Sequence, residues 1–166
     1  PRYHRAEFAA DAVIHALGVG FALIGGPILI GLVAAEGEAW PTVAISVYVA
    51  TLIAMFAASA CYNLIPWQTW KDWLRRLDHS TIYLKIAGAY TPFAAISIGG
   101  MVGNALLASV WIVALFGLTL KLVYPRRFEV LSIILYLALG WAAVFVAGDV
   151  VDSLDVTTII LIVIAG

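Results

Sequence analysis

Long apolar runs separated by short polar clusters dominate the pattern along this chain. Residues 12–35 and 41–65 contain no Lys, Arg, Asp or Glu, residues 79–99 contain Lys85 alone, and residues 102–120 and 130–148 again contain none. A helix needs about 20 mostly apolar residues to cross the hydrocarbon layer of a bilayer. The pattern therefore predicts five full membrane spans over those ranges. A sixth run, 156–166, reaches the chain end at about half the required length. The first run exceeds the roughly 7–15 residues of a signal-peptide core, which makes it a span rather than a cleaved leader. The chain opens at Pro1 instead of Met. The expectation is an all-α, polytopic transmembrane helix bundle, a single domain over 1–166, truncated at its C-terminus.

Composition agrees with this pattern. The chain is 64% hydrophobic and 11% charged, where a soluble domain carries about a quarter charged residues. The placement of the charges adds an orientation. Arg2 and Arg5 precede the first span, Lys71, Arg75 and Arg76 lie between the second and third, and Lys121, Arg126 and Arg127 surround the link from fourth to fifth. The opposite loops carry only acids: Glu36 and Glu38, then Asp149, Asp152 and Asp155. Basic loops face the cytoplasm, so the N-terminus is expected there, in a multi-pass protein of the inner membrane. The longest link, 66–77, combines three Trp with three cations and is expected to lie in the membrane interface. Pro27 and Pro92 fall inside spans and are expected to kink them. Cys61 is the only cysteine, so neither an intrachain disulfide nor a cysteine metal cluster is open to the chain.

Against this background a few polar residues stand out, because an ionisable group inside a span is costly and marks a functional site by default. His15 lies about one turn into the first span. Ser59 and Asn63, four apart near the inner end of the second, share one helix face. Asp78 opens the third span, and Lys85 follows two turns deeper, with its stem expected to lean back toward Asp78. Helices that place polar groups at one depth are how bundle sites are built. Each residue also has a plainer explanation. Asp78 suits a helix N-cap, Ser59 could bond its own helix backbone, Asn63 could sit among headgroups, His15 could be a packing residue, and Lys85 could snorkel.

The motifs that carry these residues have a family look. Glu7-x3-Asp11-x3-His15-x2-Gly18 resembles the opening motif of the hemolysin III family, the bacterial branch of the progestin and adipoQ receptors, with Asp11 where that motif usually has Asn. Ser59-Ala60-Cys61-Tyr62-Asn63 resembles its Ser-x3-His motif. Leu74-Arg75-Arg76-Leu77-Asp78-His79-Ser80 is similar to the basic loop and Asp that open its third span, and Ile86-Ala87-Gly88-Ala89-Tyr90-Thr91-Pro92-Phe93 to its third-span signature. Leu139-Gly140-Trp141 resembles a fifth-span motif. The likeness covers essentially the whole chain. It implies a seven-helix bundle with a cytoplasmic N-terminus. It also implies a zinc site near the inner face, built from the Ser-x3-His span, the Asp of span three and a His-x3-His pair on span seven. Asn63 stands at the position of the first His ligand, which disfavours zinc because amides are poor ligands for it. Lys85 stands where relatives are apolar, and its ammonium facing Asp78 could replace the charge of the metal.

The functional expectation that follows is a role in membrane lipid metabolism or homeostasis. In one reading the chain is a ceramidase-like hydrolase of lipid amide bonds. Ser59 and Asp78 are then catalytic, Asp78 orienting or deprotonating water and Ser59 stabilising the oxyanion, while His15, Asn63 and Lys85 bind ligand. In the other it is a non-enzymatic lipid-binding receptor or regulator with an Asp78–Lys85 pair in place of the metal. Membrane damage, the role in the family's name, finds no amphipathic pore-forming segment. The expected partners are membrane lipids and not nucleic acid.

Overall fold

The computed structural model of the protein describes residues 5–65, 68–124 and 129–141, with the side chains of 5–8 and 129 left out. The described residues form five α-helices and one π-helical stretch: α1 (Arg5–Ala35), α2 (Ala39–Leu64), α3 (Gln68–Pro92), the π-helix (Phe93–Ile98), α4 (Gly100–Val123) and α5 (Glu129–Trp141). Three of them, over Ala9–Ala35, Ala39–Leu64 and Gly100–Val123, are long and apolar enough to cross a membrane. The third expected span is covered by the second half of α3 with the π-helix, and part of the fifth by α5. Residues 142–148 of the fifth span, the run at 156–166 and the acids Asp149, Asp152 and Asp155 lie outside the described residues.

α3 is central. It packs against α2 on one side and against α4 and α5 on the other, while α1 packs on α2. The contacts fix the directions. His15 meets Ser59, and Cβ atoms added to Gly18 and Gly26 would overlap Phe56 and Val49, so α1 and α2 run antiparallel. Tyr83 donates to Ser132 O at 3.2 Å and Tyr90 to Leu139 O at 2.9 Å, so α3 and α5 run parallel. The buried core lies between α3, α4 and α5, with Tyr83, Ala87, Leu106, Val110, Ala114 and Leu139 at its centre. Tyr83 stacks on Tyr136 with ring centroids 4.4 Å apart. Outward-facing Phe21, Ile112 and Met101 are largely uncovered, as expected of apolar side chains that meet lipid rather than water.

Helices in lipid must satisfy their polar groups internally, and most of the hydroxyls do so on their own helix. Thr42, Ser46, Thr51, Ser80, Thr81, Thr91 and Thr119 each donate to a carbonyl three or four residues back. Pro27 sits within an unbroken α1. Pro92 closes the α-helical part of α3, and the π-helix begins at the next residue. The turn into α4 needs two residues with positive φ, and Gly99 (63°) and Gly100 (57°) supply them without a Cβ clash.

The Trp- and cation-rich link at 66–77 is described from Gln68, Pro66 and Trp67 lying outside the described residues. From Gln68 onward it is helical and continuous with α3. The physical reason is the placement of its cations against the neighbouring helix ends. The last four carbonyls of a helix have no partner within it, and cations are favoured there. Lys71 donates to Tyr62 O and, at 3.2 Å, to Ile65 O, capping the end of α2. Its ammonium also lies 5.0 Å from the Tyr62 ring centroid. Arg76 donates to Leu122 O at 3.4 Å, at the end of α4. About three added turns of α3, from Gln68 to Leu77, thus close two neighbouring helices.

Candidate functional site

The antiparallel register of α1 and α2 brings His15 opposite the last turns of α2. His15 Nε2 lies 3.1 Å from Ser59 Oγ and 3.4 Å from Asn63 Nδ2. Its Nδ1 lies 2.7 Å from Asp11 O, one turn back in α1. A carbonyl oxygen only accepts, so Nδ1 carries a proton and, in the neutral ring, Nε2 presents its lone pair. Ser59 Oγ–H then donates to the imidazole. Asn63 is oriented by donating to Ser59 O at 3.0 Å, and its Nδ2 also lies 3.4 Å from Ser59 Oγ. All three side chains are half-buried, as is Asp11.

Ser59 therefore differs from the hydroxyls that bond their own helix. Its hydroxyl crosses to another helix and meets a base. His15 and Asn63 likewise have partners that neither a headgroup position nor simple packing requires. The two were singled out from their depth in sequence, and the structure brings both to Ser59.

Asp78 lies on the same stripe of α3 as Lys71, Lys85 and Gly88, and those three all meet α2. The contacts of Lys71 with Tyr62 and of Gly88 with Thr51 place Asp78 along α2 between those two levels. Its carboxylate is partly exposed and 3.7 Å from His79 Nδ1. It reaches none of His15, Ser59 and Asn63 by a hydrogen bond. The turn around it is held by α5, where Tyr136 donates to His79 O at 3.0 Å.

Lys85 corrects an expectation. No ion pair joins it to Asp78 among the described residues; its ammonium lies 4.7 Å from the centroid of the Tyr48 ring on α2. The reason is distance and direction. Asp78 is two turns, about 10 Å, back along α3, whereas an aromatic face within about 6 Å attracts a cation electrostatically. Tyr48, Tyr62 and Tyr136 were not foreseen as partners of these residues. The available signal was their position as hydrogen-bonding aromatics in otherwise apolar helices.

These donors do not suit the zinc that the family resemblance implies. The Asn63 nitrogen facing His15 and Ser59 has no lone pair to give, and the lone pair of His15 Nε2 receives the Ser59 proton. No three His, Cys, Asp or Glu side chains among the described residues converge in a way that could hold a metal ion. The described residues do not fit zinc.

Comparison with known proteins agrees with the motifs. A family model described as Haemolysin-III related matches residues 6–166. The chain is 34% identical over 149 residues to the Hemolysin-3 homolog of Bacillus subtilis (strain 168), covering 90% of this chain and 70% of that protein. It is 32% identical over 148 residues to Hemolysin-3 of Bacillus cereus, covering 89% and 68%. To the Monocyte to macrophage differentiation factor of Homo sapiens it is 24% identical over 147 residues, covering 84% of this chain and 60% of that one. No solved structure matches.

Proposed function

Because the chain belongs to the haemolysin-III related family, and its helices are those of a membrane protein, we propose that it acts in membrane lipid metabolism as a hydrolase of lipid amide bonds. One observation carries this reading: the Ser59 hydroxyl is turned away from its own helix and donates to His15 Nε2 at 3.1 Å. A hydroxyl held on an imidazole nitrogen of another helix is suited to acyl chemistry, whereas a purely structural serine in a span satisfies itself locally. The site sits at the basic end of the bundle, beside Lys71, Arg75 and Arg76. With basic loops inside, that end is the inner leaflet of the cell membrane and the N-terminus is cytoplasmic. The acyl carbonyl would lie between the Ser59–His15–Asn63 group and Asp78, whose carboxylate would orient or deprotonate water.

The test is turnover of an N-acyl sphingoid lipid by the full chain in nanodiscs, followed by release of fatty acid. Removing a general base costs about 10²–10⁴-fold in rate, so Asp78→Ala is expected to lose at least 100-fold. Asn63, at the position of a ligand in the family motif, favours one second reading, a lipid-binding receptor or regulator. Saturable lipid binding with no release of fatty acid would replace the hydrolase by that reading.

A further inference from the structure

We infer that Ser59 is a nucleophile toward an acyl carbon and that His15 is its general base. This rests on the lipid-hydrolase reading and adds the reacting atom, which water need not be.

The geometry is that of an activated hydroxyl. Nucleophile and base of such pairs lie within hydrogen-bond reach, about 2.6–3.2 Å, and a third group orients the base. Ser59 Oγ and His15 Nε2 are 3.1 Å apart. The third group is Asp11 O, 2.7 Å from Nδ1, which holds the tautomer that leaves Nε2 able to take a proton. Asp11 O is a backbone atom one turn away in the same helix, so the ring is fixed by α1 itself. Ser59 comes from α2, and the α1–α2 packing at Gly18 and Gly26 brings the two together. Close approach there requires the missing Cβ atoms, which would overlap Phe56 and Val49.

Asn63 completes the group. One N–H is directed to Ser59 O at 3.0 Å, and Nδ2 lies 3.4 Å from Ser59 Oγ. The second N–H faces His15 Nε2, 3.4 Å from Nδ2, and turns to a carbonyl oxygen on a carbon bound to Oγ once Nε2 has taken the Ser59 proton. The residue that spoils a metal site is thereby a donor for the charge that develops on attack.

The chemistry balances without a redox partner. The Oγ–C bond forms as the hydroxyl proton passes to Nε2, and the carbonyl electron pair moves to oxygen beside Asn63. Collapse of that intermediate breaks the C–N bond, and the imidazolium returns its proton to the leaving amine nitrogen. Water oriented by Asp78 then attacks the acyl-serine ester with His15 again as base, releasing fatty acid and restoring Ser59.

The test treats native membranes carrying the full chain with an alkyl fluorophosphonate and finds the modified peptide by mass spectrometry. The expected adduct is on Ser59, is absent in Ser59→Ala, and forms at least about 100-fold more slowly in His15→Gln. Circular dichroism of each purified variant verifies the helices. With the helices intact, an unmodified Ser59 overturns the inference, and so does an adduct whose rate His15→Gln leaves unchanged. If His15→Gln fails to fold, hydroxylamine trapping of the wild-type acyl-enzyme decides: a hydroxamate with loss of the acyl group from Ser59 supports it, and its absence during turnover overturns it. Turnover of an N-acyl lipid that survives Ser59→Ala overturns the inference and leaves the hydrolase reading standing. A His15-dependent adduct in a protein that cleaves no lipid amide upholds the pair and sinks the amide-lipid reading.

Discussion

Gly88 is a point of close approach between α2 and α3, and replacing it with Ala tests whether that approach positions the site. A Cβ on Gly88 would overlap Thr51 Oγ1 and lie 2.8 Å from its Cβ and 3.0 Å from its Cγ2. Thr51 is 8% exposed, and its hydroxyl donates to Tyr48 O at 2.9 Å. Rotation about χ1 moves Oγ1 and Cγ2 but leaves Cβ in place at 2.8 Å, too close for a Cβ–Cβ contact. The helices must separate by a good fraction of an ångström, and a gap of about 0.5–1 Å already forfeits a quarter to a half of each contact's attraction. Overpacking costs typically about 1–3 kcal/mol, and the gain in helix propensity from Gly to Ala offsets up to about 1 kcal/mol. A net loss of about 1–2 kcal/mol is expected, on the order of 5–30-fold in the folding equilibrium. Unfolding of the purified protein in mixed micelles, followed by Trp fluorescence, measures it. Thr51→Gly in the same chain should recover at least about 1 kcal/mol of that loss, since contacting residues couple. Gly20 and Gly31, which have nothing within 4 Å, serve as controls, and Ala there should be neutral or stabilising. The reasoning is refuted if Gly88→Ala is as stable as the parent, or if the two substitutions add to within about 0.5 kcal/mol.

Two further outcomes follow from the cations. Lys71→Met removes a charged donor from the last carbonyls of α2 and is expected to lower stability by about 1.5–3 kcal/mol, with Lys71→Arg costing less; equal stability of Met and Lys variants in the same micelle assay would refute the cap. Lys85→Met exchanges a cation–π contact of about 2 kcal/mol for relief from placing a charge in a span, about 2.5–3.5 kcal/mol on insertion scales, so stability should stay level or rise slightly. Tyr48→Leu with Lys85 retained should instead lose about 1–2 kcal/mol, and no loss would mean that the aromatic face is not what holds the ammonium.

Much of the bundle was legible in the sequence because lipid imposes a simple code. Charge-free runs of sufficient length mark α1, α2 and α4, and charge alternation marks which ends lie together. The beginning of α3 was not legible in that way. Gln68 to Leu77 carries the amphipathic mixture of an interfacial segment, and only the carbonyls at the ends of α2 and α4 explain why its Lys71 and Arg76 belong on a helix continuing into the span. His15, Ser59 and Asn63 were legible as residues at one depth, together with Asp78 and Lys85, because spacing within a helix and depth across helices are both set by rise per residue. The partner of Lys85 was not. A four-carbon stem can point either way along its helix, and Asp78 was the only charge in view, while the Tyr48 ring that receives it is neutral and on another helix. Charge spacing along one helix says little about neutral acceptors on its neighbour.

The caps at Tyr62, Ile65 and Leu122 have a consequence for how the chain can be inverted. Orientation of a membrane protein is set by the bias of Lys and Arg between its loops, and moving charges can flip it. Here Lys71 and Arg76, two of the residues to be moved, also close the ends of α2 and α4. A variant rebuilt to insert the other way up would leave those carbonyls open, so which way the chain threads the bilayer and how its helices end are not independently adjustable.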